Sequence, residues 1–74
     1  MDEATIKQSF RIAYDFVMNH QHPQFNVDYF MSVLEEIKGI HQSDRYNILL
    51  ESLLLGVYEY LAKEAKEESQ ARSD

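Results

Sequence analysis

The chain has no cysteine, one proline and only two glycines in 74 residues. The missing cysteine removes disulfide staples and thiolate metal sites together. With so little Pro and Gly to punctuate it, the chain is expected to form long helices rather than many short strands. Cations are scarce as well. Net charge is −6, and only Lys7, Arg11, Lys38 and Arg45 precede residue 63. Gripping a phosphate backbone needs clustered Lys and Arg, so direct nucleic-acid binding is not expected. No stretch approaches the roughly 20 apolar residues of a membrane-spanning helix, because Glu51 and Glu59 interrupt the most apolar one. Nor does a basic segment with an apolar run mark a secretory signal, since Asp2 and Glu3 stand at the start. The expectation is an acidic, cytoplasmic protein with no membrane partner.

What is present is enough for one small core. Leu, Ile, Val and Phe supply 20 of the 74 residues, above the ~20% level below which chains tend to stay disordered. A chain of this length buries only roughly 60% of the surface its unfolded form exposes. Small domains supplement such burial with disulfides, a metal or a partner chain, and disulfides are already excluded.

Three helical patterns follow one another, at about 3–19, 27–38 and 43–66. In the first, Ile6, Phe10, Ala13, Tyr14 and Val17 repeat at helical spacing and define the expected inward face, widened by Ile12 and Phe16. Either Asp2 or the Thr5–Gln8 pair could cap its start. Pro23 ends this helix and pushes His22 towards an extended conformation, and Asn26 is placed to cap the second helix, with Phe25 and Phe30 spaced as a hydrophobic staple. Val27, Phe30, Leu34 and Ile37 form that helix's expected core face, widened by Met31 and Val33. Gly39 suits a left-handed C-terminal cap. Ser43 is the expected cap of the third helix, and Asp44 complements its positive end. The charged segment 67–74 has no large apolar residue and is expected to be a flexible tail beyond a helical domain of residues 1–62. Short connections favour antiparallel neighbours, so the fold class is all-α, a three-helix antiparallel hairpin or bundle with a long third helix.

The third helix carries more apolar residues than one core face requires. In ILLESLLLGVYEYL (48–61), ten of fourteen residues are apolar or aromatic. At 100° per residue, Tyr46, Leu49, Leu50, Leu53, Leu54, Val57, Tyr60 and Leu61 occupy one arc of about 140°. Ile48, Leu55 and Ala62 recur every seven residues on nearly the opposite side, with Tyr58 beside them. Ser52 and Gly56, four apart, offer a small-residue edge, and Gly56 costs about 1 kcal/mol against alanine in a helix interior. Ile48, Ser52, Leu55, Gly56 and Tyr58 are therefore the expected partner-binding residues, joined by Tyr29, because tyrosine is enriched at interfaces. A homodimer formed through this helix is the architecture they imply.

Chemistry is poorly represented. His20 and His22 alternate in a connection and could face one metal ion, with His41 in the other connection roughly 18 Å away if the second helix has about twelve residues. No G-x-S-x-G elbow or glycine-rich phosphate loop occurs. Glu35 and Glu36 diverge by about 100° on a helix and do not converge as an acid–base pair. No enzyme and no cofactor are expected. Two other readings compete with self-association: a metal-binding protein using the loop histidines, and an acidic mimic of nucleic acid that inhibits a basic host protein. The mimic would present Asp28 and Glu35 on one face and Glu51 and Glu59 on another.

Three short pieces, AYDF at Ala13–Phe16, DYF at Asp28–Phe30 and GVYEYL at Gly56–Leu61, give residues 10–62 a resemblance to small accessory proteins of bacteriophages and prophages of Gram-positive bacteria. The resemblance carries no functional motif and transfers no site residue. It implies a structural piece, or a regulator that binds a host protein. The combined expectation is a non-enzymatic helical protein that self-associates and acts through protein–protein binding.

Overall fold

The computed structural model describes residues 1–72, with side chains through Gln70. It contains α1 (Glu3–Met18), α2 (Val27–His41) and α3 (Ile48–Arg72), and no strand among the described residues. The all-α class is correct. Both α1 and α2 lie against α3 rather than against each other. The core joins Phe16 of α1, Val33 and Ile37 of α2, and Leu50, Leu54 and Leu61 of α3.

Local chemistry sets the helix starts. Asp2 caps α1 by accepting from the Thr5 N–H at 2.7 Å, and Asn26 caps α2 by accepting from the Tyr29 N–H at 2.7 Å. Each supplies an acceptor to one of the orphan donors of a first helical turn. The third start corrects the expectation at Ser43. Its hydroxyl donates to the Ile40 carbonyl at 2.6 Å and accepts from the Arg45 N–H, so it is spent on the turn. Asn47 caps α3 instead, its side-chain oxygen accepting from the Leu50 N–H at 2.8 Å.

Gly39 also differs from expectation. No glycine takes a positive φ, and α2 runs on through Gly39 to His41. Ile40, which would lie beyond a glycine cap, packs on the core and favours another turn. Likewise α3 continues past residue 66 to Arg72. Ala65 explains part of that extension, because it is fully buried although small. Residues 73 and 74 of the expected tail lie outside the described residues.

The inward faces are rotated from those read by periodicity. On α1 the buried residues are Ser9, Ala13 and Phe16, while Phe10 and Tyr14 are 53% and 57% exposed. On α2 they are Val33 and Ile37, and Val27, Met31 and Leu34 face outward. On α3 the arc turns towards Tyr58, which packs against the core, and Tyr46 and Tyr60 become exposed. Each helix carries two apolar stripes, and a single neighbour covers only one.

The result is elongated. Its radius of gyration is 13.6 Å and its extents are 48 × 20 × 16 Å, against a radius of about 11 Å for a compact chain of this length. Accessible surface is 5434 Å², above the roughly 4,700 Å² of a compact monomer of this mass. Large apolar side chains on all three helices contribute to it, among them Phe10, Val27, Met31, Ile48 and Leu55.

Candidate interaction surface

An apolar concavity lies between α2 and α3. Phe25, Val27, Met31 and Leu34 form one wall and Tyr58 and Ala62 the other, around a groove of about 480 Å³. Its floor is Phe30, whose ring meets Tyr58 edge-on at 5.7 Å. Val27 is 75% exposed and Met31 56%. Helical angle places Leu55 and then Ile48 beyond Ala62, extending this apolar surface along α3; both are exposed. A surface of this kind, lined by large flexible and aromatic side chains, is suited to protein contact.

A second apolar feature is convex. Ile6, Phe10, Tyr14 and Met18 stand four residues apart along α1, and all four are exposed. Their spacing makes a ridge that winds slowly around the helix, with Lys7 and Arg11 along its outer edge. The Arg11 guanidinium lies 5.6 Å from the centre of the Tyr14 ring and also pairs with Asp15.

Comparison with known protein families, with curated proteins and with solved structures returns no match.

Of the residues expected to bind a partner, Ile48, Ser52, Leu55 and Gly56 are exposed. The Ser52 hydroxyl is turned back onto the Ile48 carbonyl at 3.1 Å, and a methyl group at Gly56 would meet open space. Tyr58 is half-buried, with its ring in the groove wall. Tyr29 is half-buried as well. Its ring packs against the core and meets Phe30 edge-on at 5.1 Å, and its hydroxyl lies 2.8 Å from His20 Nδ1. Burial, and secondarily the negative charge of Glu36, hold the Tyr29 hydroxyl above its ordinary pKa. Spacing could have signalled this, since Tyr29, Val33 and Ile37 form one i, i+4, i+8 row. Periodicity points Val27, Met31 and Leu34 inward because they form an equally regular row, and spacing gives Phe25 only the role of a staple.

His20 is a structural joint. Its ring stacks on Phe16 with centroids 4.7 Å apart. Nε2 lies 2.9 Å from a Glu36 carboxylate oxygen, and Nδ1 takes the Tyr29 contact. Both ring nitrogens are therefore engaged, one with Glu36 and the other with the Tyr29 hydroxyl. His22 is exposed, and His41 sits in the last turn of α2 against the Tyr46 ring at 5.5 Å. Among the described residues no group of three or more His, Cys, Asp or Glu side chains is placed to hold a metal ion. Nor is any helix there long and apolar enough to cross a membrane.

The acidic faces are unequal. Asp28, Glu35 and Glu59 are exposed and carry no ion pair among the described residues. Glu51 accepts a short hydrogen bond from the Tyr46 hydroxyl. That bond, followed by burial, raises the Tyr46 pKa.

Proposed function

We propose that this chain is a non-catalytic helical protein, an antiparallel three-helix bundle that self-associates and acts through protein–protein binding. The observation that carries this reading is the groove between α2 and α3. It leaves Val27, Met31, Leu34 and Leu55 in solvent beside a core of only a few large side chains. Burying one such side chain contributes about 1.5–3 kcal/mol, a sizeable share of the roughly 5–15 kcal/mol by which domains are stable. A protein this small therefore gains disproportionately from covering that surface.

Its chemistry supports contact rather than turnover. His20, in the connection after α1, is used with Tyr29 and Glu36 in fastening that connection to α2. The groove walls are apolar apart from Asn26, whose side chain caps α2.

Sedimentation at micromolar concentration tests the reading. Wild-type protein is expected to associate, and Leu55→Glu or Met31→Glu to release monomers that keep their helical circular dichroism. A wild-type monomer, indifferent to either substitution, would overturn it.

A further inference from the structure

Resting on that reading, we infer that self-association is heterologous: the α1 ridge of one copy fills the α2–α3 groove of the next. The two surfaces are opposite in shape, one a line of Phe10 and Tyr14 side chains on a single helix, the other a concavity between two helices. Neither is covered by another element among the described residues.

Area supports a second copy as the occupant. Ile6, Phe10, Tyr14 and Met18 are each about half exposed, which presents roughly 400 Å² when a large side chain offers about 150–250 Å². Phe25, Val27, Met31, Leu34 and Leu55 present slightly more. Together with the polar rim, the pair reaches the total of roughly 1,000–1,200 Å² at which specific interfaces begin.

Charge favours ridge-in-groove over groove-to-groove. Helical angle puts Asp28 and Glu35 beyond Met31 along one long edge of the groove, and Glu59 beyond Leu55 along the other. Lys38 and Lys66 stand at its ends. Two grooves meeting face to face would bring these acidic edges towards their own copies. The ridge instead brings Lys7 and Arg11, which leave their intrahelical partners Glu3 and Asp15 at little cost because those pairs are solvent-exposed. A heterologous contact uses different patches on the two copies, so it propagates into a ring or an open chain instead of closing as a symmetric dimer.

Mixing two variants tests the inference. Phe10→Glu spoils the ridge and spares the groove, and Met31→Glu does the reverse; both sites are exposed, and circular dichroism checks that each variant folds. The expected result is a wild-type assembly larger than a dimer, two monomeric variants, and a stoichiometric dimer when they are mixed, because one intact ridge meets one intact groove. Opposite charge reversals, Arg11→Glu against Glu35→Lys, are expected to weaken association singly and to restore it when mixed. If Phe10→Glu associates like wild type while Met31→Glu does not, the ridge is overturned and groove-mediated self-association stands. Monomers that remain monomers on mixing would also overturn the heterologous arrangement. A wild-type protein that never associates would overturn both readings.

Discussion

Asn47 Nδ2 donates to Ser9 Oγ across 2.9 Å, joining residues 38 positions apart in the chain. Ser9 is the one fully buried polar side chain among the described residues, and its hydroxyl donates in turn to the Thr5 carbonyl at 2.9 Å. Because the Asn47 side-chain oxygen also accepts from the Leu50 N–H, one amide both starts α3 and fastens it to α1. The buried hydroxyl has a donor and an acceptor partner, which is what makes its burial tolerable.

Asn47→Ala is therefore expected to cost more than loss of an ordinary cap, about 1–2 kcal/mol for the cap plus the cost of a less satisfied Ser9. Ser9→Ala, which keeps the cap, is expected to cost about 1 kcal/mol. Urea denaturation of both variants and their double mutant measures the coupling. Strict additivity would mean that the two residues act independently.

His20→Ala is expected to destabilise by about 1–3 kcal/mol, since the half-buried Tyr29 hydroxyl loses its partner and Phe16 loses its stacking neighbour. Glu36→Ala is expected to cost less than about 1 kcal/mol, because that carboxylate is half exposed and screened. Thermal melts of the two variants give the contrast. Calorimetric titration with zinc is expected to show no binding that His20→Ala abolishes, as both ring nitrogens already have partners.

Gly39→Ala and Gly56→Ala are each expected to stabilise by about 0.4–1 kcal/mol, through loss of unfolded-state freedom in a helix interior. Neither glycine takes a positive φ, and an added methyl group meets nothing within 4 Å. Gly56→Ala also separates modes of assembly: ridge-in-groove packing leaves association unchanged, whereas close α3–α3 packing over Ser52 and Gly56 would lose it. Melting temperature and sedimentation read the two effects.

Tyr29 and Tyr46 have pKa values raised above 10.0, the first chiefly by burial and the second chiefly by the Glu51 hydrogen bond. A raised folded pKa means that the stability linked to the protonated phenol is complete below the unfolded value and is lost as pH climbs through the folded one. Asp2 has the opposite sign. Hydrogen bonding from Thr5, side chain and then backbone, lowers its pKa from 3.8, so its contribution is present above that value and is lost as pH falls through the folded pKa. Ultraviolet titration is expected to show phenol ionisation delayed beyond pH 10, with Tyr29→Phe and Tyr46→Phe each removing one delayed group. Below pH 4, protection of the Thr5 amide from exchange, measured against its intrinsic rate at each pH, is expected to fall.

Legibility followed the range of each interaction. Capping at Asp2 and Asn26 depends on residues three apart, and both positions were among those read from the chain. Ser43 and Asn47 are equally plausible caps by type, and the choice fell to Asn47 because a residue 38 positions away supplies its other partner. Periodicity places Leu50, Leu54 and Leu61 inward, and they are fully buried. It places Val27 and Leu34 there too, and they are exposed. Helical spacing identifies apolar rows but does not rank two rows on one helix.

By itself the sequence determined an all-α chain, the order of three helices, the absence of disulfide chemistry, and an apolar surplus at regular spacing. Those follow from local propensity, punctuation and composition. Only the tertiary structure decided which stripe of each helix faces inward. With α1 and α2 both resting on α3, the rows through Ala13, Val33 and Leu54 are covered, and those through Phe10, Met31 and Leu55 remain in water. Core volume sets that outcome: three helices in a chain this short can enclose one row from each.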